Sequence, residues 1–364
     1  MIGKTLGIYI SIRFLRILFA MVLGLAFLIV TIDFIEQLRK ASNVEGVSLW
    51  TLYSISLMRA PLFVEKAFPF ACLFAAMITL TQLNTKMELV VARAAGVSAW
   101  QFLLPISFSA AIVGVLIATI YNPISIMAFQ YGEDLQASVI AQKNPQNSDT
   151  TRGYWIKQQD PSGGSTIINA ELARNNGQTL DNVKIIRFDA NGSIFERLDA
   201  KLAIHTRNEW QLNDISRTDE SGIISTLQTL NLPTRLTPDD LLGTSAKPDS
   251  ISFWKLRNVA ASVEKSGTNA KPYMVQYYSL TALPLFFVAM VLIAATVCLK
   301  FVRFGQVWRM ILGGILGGFV LYTVTSLITA LGSNGVVPPI VAAWAPGFVA
   351  TLFGMSSLLH QEDG

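Results

Sequence analysis

The stretch MILGGILGGFVLYTVTSLITALGSNGVVPPIVAAWAPGFVATLFGMSSLLHQ, residues 310–361, contains no Lys, Arg, Asp or Glu. It is too long for one membrane crossing, because ~20 apolar residues already span the hydrocarbon core. Gly332-Ser333-Asn334-Gly335 and Pro338-Pro339 supply a turn in its middle, so it reads as two transmembrane helices. The same logic, carried outward, finds uncharged stretches at Ile17 to Ile32, Ala67 to Thr85, Ala94 to Gly132 and Pro272 to Leu299. With 52% hydrophobic and only 14% charged residues, the 364-residue chain has the composition of an integral membrane protein rather than a soluble one. Six spans result, three on each side of a segment of opposite character: residues 133–271 hold 17 of the 24 acidic side chains. The expected domains are therefore 1–132 with spans one to three, 133–271 as a polar insert, and 272–364 with spans four to six.

Basic residues orient the spans. Lys4, Arg13 and Arg16 precede span one, Lys86 and Arg93 sit between spans two and three, and Lys300, Arg303 and Arg309 sit between spans four and five. The positive-inside bias puts all of these, and both termini, in the cytoplasm, with the insert outside. Residues 133–270 hold 15 basic and 17 acidic side chains, leaving 13 and 7 elsewhere. That excess of cations belongs to topology and lipid contact, not nucleic-acid binding. No small-residue cleavage site follows the first apolar run, where Asp33 to Lys40 is charged and bulky, so the run is expected to be an anchor. Cys72 and Cys298 both fall in spans, so the insert has to be held by its own core and not by a disulfide.

From Gly153 onward the pattern becomes short alternating segments, such as Lys184-Ile185-Ile186-Arg187-Phe188 and Ser193-Ile194-Phe195-Glu196-Arg197-Leu198. Turn signals part them at Pro161 to Gly164, Asn175 to Gly177, Asp189 to Gly192 and Asp219 to Gly222. This spacing predicts an antiparallel, all-β domain of about six to ten strands, jelly-roll-like or a sandwich. His205, Glu209 and Asp214 lie within it, but alternating strands scatter such residues over a solvated face, and no metal-ligand spacing accompanies them. The sequence has no phosphate loop, no H-E-x-x-H and no G-x-S-x-G turn, so it carries no visible catalytic centre, and a pump built from it needs a separate ATPase.

Between spans two and three, Asn84 to Val97 forms a short amphipathic segment. Asn84 or Thr85 can cap a helix over Lys86 to Ala95, and Gly96 can end it. Glu88 and Arg93 offer polar contacts on an apolar strip. Such a helix could dock on an ATPase or simply lie on the membrane surface.

Several motifs together resemble the LptF/LptG permease family: Glu88-Leu89-Val90-Val91 with Ala95-Gly96, Phe34-Ile35-Glu36-Gln37-Leu38-Arg39-Lys40, Phe68-Pro69, Arg303-Phe304-Gly305 and Pro338-Pro339-Ile340. The first-span motif is nearer the LptG branch. The resemblance covers essentially the whole chain, including its order of three spans, β insert and three spans. It implies a non-catalytic subunit in the inner membrane of a Gram-negative bacterium. This subunit would pair with an LptF-like permease and an LptB-like ATPase dimer, which uses ATP and Mg, and this chain would bind no cofactor. Lipopolysaccharide would leave the membrane through the spans and pass by a periplasmic jelly roll to an LptC-like protein. The segment of about 84–96 would be the coupling helix, with Glu88, Arg93 and Gly96 at the ATPase.

Basic residues that break the apolar pattern are candidates for holding lipid phosphates. Arg39 and Lys40 end span one and match a basic pair the family uses there. Arg59 and Lys66 stand seven apart in span two, on one helix face. Snorkelling, with Glu36 or Glu65 as local partners, is the simpler role for all four. The chain departs from the family pattern at Asp33 and Leu62, where basic residues are expected. Gly313, Gly314, Gly317 and Gly318 allow close helix approach in span five, for packing or for a lateral gate. A scaffold that moves its β domain without carrying lipid would share these features. An ion-coupled carrier is disfavoured because no acidic residue lies deep in a span.

Overall fold

The computed structural model describes residues 4–42, 47–94, 96, 98–143, 151–159, 164–174, 178–189, 193–206, 209–219, 222–234, 247–265, 269–299 and 307–363. Helix α1 spans Lys4–Ala41, α2 spans Leu49–Thr85 and the short α3 spans Glu88–Ala94. Helix α4, Ala99–Leu116, passes through a π turn at Ile117–Tyr121 into α5, Asn122–Lys143. Six strands follow: β1 Thr151–Gln159, β2 Ser165–Arg174, β3 Thr179–Phe188, β4 Ile194–Thr206, β5 Glu209–Asp219 and β6 Ile224–Pro233. A 3-10 turn at Pro248–Ser250 leads to α6, Phe253–Lys265, then α7, Lys271–Cys298, α8, Val307–Ser333, and α9, Pro339–Asp363. Among the described residues six helices are long and apolar enough to cross a membrane, and the antiparallel β insert lies between the third and fourth, as the sequence predicts. The turn between α8 and α9 forms at Gly335, whose φ of 81° suits glycine.

The bundle is built around α2 and α7. Leu73, Leu80, Phe102, Ile106 and Phe287 fill its centre, and Ala71, Ala75, Ala289 and Ala294 let the two helices approach closely. A Cβ added at Gly114 of α4 would lie 2.7 Å from the Cα of Pro284, so this crossing is closer still. The most apolar window of α2 is 61% buried, against 6% for α1 and 17% for α8. Helices α1 and α8 therefore present broad apolar faces outward, with Phe19, Phe27 and Ile32 on the first and Leu316, Phe319 and Leu327 on the second.

The strands form one six-stranded sheet in chain order, antiparallel throughout. One sheet cannot bury its own face without a second layer, yet Leu180, Ile185, Leu198, Trp210, Leu212 and Ile215 are fully buried. A crease supplies the second layer. Buried positions alternate along each strand until they skip a step at Leu180 to Val183, Ala200 to Ala203 and Leu212 to Ile215. The register places Asn182, Lys201 and Asp214 in one row across the sheet at this skip. Asn182 and Asp214 have φ of 51° and 53°, the left-handed conformation that Asn and Asp tolerate best. Folding along that row brings residues of both arms into one core, within a single up-and-down antiparallel sheet and without the crossovers of a jelly roll. Glu196, 4% exposed, is held between Arg187 at 2.7 Å and Arg217 at 2.5 Å. The sequence-predicted turns at 161–163, 175–177, 190–192 and 220–221 lie outside the described residues.

Candidate functional site

Polar side chains interrupt the apolar helices at a few places, and the first lies at the end of the bundle that carries α3. The amphipathic segment expected over 84–96 is divided here. Helix α2 runs on to Thr85, Met87 takes a left-handed φ of 58°, and α3 begins at Glu88. The break turns α3 so that Leu89 enters the core, while Val91 and Ala94, three apart on α3, and Met87 just before it remain exposed. Glu88 points back into the bundle, with its Oε1 3.3 Å from Nη1 of Arg13 on α1. Arg93 lies on α3, but its side chain is outside the described residues, whereas Gly96 follows with a φ of 84°. Arg303-Phe304-Gly305 also lies outside the described residues.

Away from that end lie the basic candidates, Arg39 and Lys40 in the last turn of α1 and Arg59 and Lys66 within the first half of α2, each with an acidic neighbour. Glu36 pairs with both Arg39, at 2.8 Å, and Lys40, at 3.7 Å, and these two cations are 78% and 44% exposed. Lys66 is 55% exposed and lies 2.6 Å from Asp249 of the 3-10 turn. Arg59 differs from the other three. Its side chain is only 12% exposed, its Nε is 3.9 Å from Asp33, its Nη1 is 3.2 Å from Glu133 and donates to Gln136, and Phe129 stacks over it at 5.6 Å. Arg59 and Lys66 thus share a helix but no partners. The departure at Asp33 has a physical counterpart here, since it faces a largely enclosed guanidinium, and Leu62 is itself buried.

Just inside this rim, Glu65 of α2 accepts hydrogen bonds from Asn122 Nδ2 at 2.7 Å and Ser125 Oγ at 2.8 Å. The Oδ1 of Asn122 accepts from the backbone N–H of Phe253 at 2.9 Å, which fixes the start of α6. Helix α6 went unread in the sequence, although Phe253, Leu256, Ala260 and Val263 recur at helical spacing and pack against Ala118, Tyr273 and Leu280. The π turn leaves carbonyls without helical partners. Thr119 O accepts from the Trp254 indole at 3.1 Å, so the turn becomes a socket for α6. Lys255 and Arg257 on the outer side of α6 are exposed, and no ion pair to either occurs among the described residues.

The four glycines of span five divide by neighbour. Gly314 and Gly318 lie against Met77 and Leu73 of α2, and Gly313 and Gly317 lie against Val297 and Ile293 of α7. Within this chain they seat α8 in the groove between those helices. His205 stacks edge-on to Trp210 at 5.0 Å, Asp214 pairs with Lys201 at 3.2 Å, and no metal-ligand cluster occurs among the described residues.

Residues 8–360 match the family model for the lipopolysaccharide export system permease LptF/LptG. The chain is 26% identical over 341 residues to the lipopolysaccharide export system permease protein LptG of Escherichia coli K12, covering 91% of each chain. It is 25% identical over 360 residues to the protein of the same name from Haemophilus influenzae, covering 95% of this chain and 96% of the relative.

Proposed function

The chain belongs to the LptF/LptG family of lipopolysaccharide export permeases, and on that premise we propose that it is the LptG-like half of a transporter in the inner membrane. It would extract lipopolysaccharide and pass it to a periplasmic bridge. A permease subunit is not itself catalytic, so ATP hydrolysis falls to a partner. The exposed apolar side chains Val91 and Ala94 on α3, with Met87 just before it, carry this reading: an apolar strip set off from the bundle suits the groove of an ATPase. Residues 23 apart in α2, Arg59 and Gln82, are separated by about 35 Å at 1.5 Å per residue. The docking end and the basic rim therefore stand about one bilayer apart, with α3 cytoplasmic and the rim and β domain periplasmic.

The rim residues Arg39, Lys40 and Lys66 keep exposed charge at that outer end, where anionic head groups would meet them, and Lys255 and Arg257 extend it. Arg59, matched by two carboxylates, would shape the wall behind them. Helix α8 would move as a gate by sliding along its glycine contacts. The partners follow from the family: a second permease against the open faces of α1 and α8, an ATPase dimer, and a periplasmic protein continuing the β route. Purification from the native membrane tests this. An ATPase and lipopolysaccharide should accompany the chain, and recovery of neither would overturn the assignment.

A further inference from the structure

Helix α1 is the least embedded of the spans, yet its Arg13 is 14% exposed and every nitrogen of the guanidinium is engaged. Nη1 lies 3.3 Å from Glu88 Oε1 and 2.8 Å from the Tyr9 hydroxyl, while Nε and Nη2 reach Gln82 Oε1 at 3.3 and 3.1 Å. The Tyr9 hydroxyl donates in turn to Glu88 Oε1 at 3.4 Å. One planar fork therefore joins α1, the end of α2 and the first residue of α3, a geometry that an ammonium cannot reproduce. The left-handed break at Met87 makes this junction matter. Without a continuous helix from α2 into α3, the backbone alone is a poor lever between them.

We propose that Arg13 is a positioning residue of the coupling step. It clamps α3 to α1, so that displacement of α3 by a docked ATP-hydrolysing partner moves the outer span as well as α2. The proposal rests on the docking reading of α3 given above. It also gives Glu88 a role on the inner side of that helix, beside the exposed face that meets the partner.

The test uses the whole complex purified from its native membrane and placed in nanodiscs with lipopolysaccharide. Arg13→Ala should retain the ATPase subunit at wild-type stoichiometry but lose lipopolysaccharide-stimulated hydrolysis by roughly tenfold, as expected for a charge-assisted network. Arg13→Lys should recover part of the loss. Val91→Glu, on the exposed face, should instead release the ATPase. Wild-type stimulation in Arg13→Ala, or loss of the ATPase from Arg13→Ala and Arg13→Lys alike, would overturn the clamp. If no ATPase is held even by the wild-type chain, the docking reading fails first and the clamp falls with it.

Discussion

Asp33 on α1 and Arg59 on α2 face each other across the helix pair, with Nε to Oδ1 at 3.9 Å and both side chains 12% exposed. The spacing is too long for a hydrogen bond, and Arg59 Nε has none, so the attraction is purely ionic. Glu133, at 3.2 Å from Nη1, is a second and more exposed carboxylate on the same guanidinium. Removing one member of a buried pair leaves a charge in a poorly solvated place, at a cost of ~3 to 5 kcal/mol. Arg59→Ala should therefore lower the thermal stability of the detergent-solubilised protein markedly, while Arg59→Leu combined with Asp33→Asn recovers most of it. Equal melting of Arg59→Ala and wild type would show that the pair does not hold α1 to α2.

Arg39 and Lys40 share one carboxylate, Glu36, and remain largely exposed. Exposed pairs contribute only ~0 to 1 kcal/mol to stability, so reversing these charges should leave folding intact. Arg39→Glu with Lys40→Glu is expected to weaken lipopolysaccharide-stimulated ATP hydrolysis by the assembled complex several-fold. Undiminished stimulation in that double variant would remove the pair from the lipid route.

Asn122 joins three elements, donating to Glu65 and accepting from the Phe253 amide. Asn122→Ala leaves the Phe253 N–H without its acceptor and Glu65 with one donor fewer, at a cost of ~1 to 3 kcal/mol. Amide hydrogen exchange in residues 253–260 of α6 should rise in this variant relative to α7. Unchanged protection there would show that α6 is seated by its apolar face alone.

Glycine positions rank by what a methyl group would meet. At Gly114 it would strike the backbone of Pro284, which cannot swing aside, whereas at Gly24 nothing lies within 4 Å. Gly114→Ala should destabilise the bundle by ~1 to 3 kcal/mol, the usual cost of overpacking. Gly24→Ala should be neutral or slightly stabilising, since Ala favours helix over Gly by about 1 kcal/mol. Detergent melting curves of the two variants measure both, and the reverse order would contradict the close crossing of α4 and α7.

Much of this architecture was legible residue by residue. The uncharged run of 310–361 and its Gly-Pro interruption announced α8 and α9, and alternation after Gly153 announced strands. The glycines of span five announced a close contact, though not that α2 and α7 would receive it. The crease through Asn182 and Asp214 was not legible, because both residues read as ordinary polar positions on a strand. Arg13 was visible only as a topological charge, and Glu88 as a surface contact, because their meeting depends on a turn at Met87 with no Gly to announce it.

The sequence by itself determined which segments enter lipid, which stay in water and in what order. Solvent preference is a property of each side chain, and it adds up along the chain. The tertiary structure alone decided which charges are spent on one another: Arg13 with Glu88, Asp33 with Arg59, Lys66 with Asp249. Ionic contact falls off within a few ångströms. It therefore depends on how neighbouring helices are rotated and staggered, which is settled by the packing of small and large side chains on every helix at once.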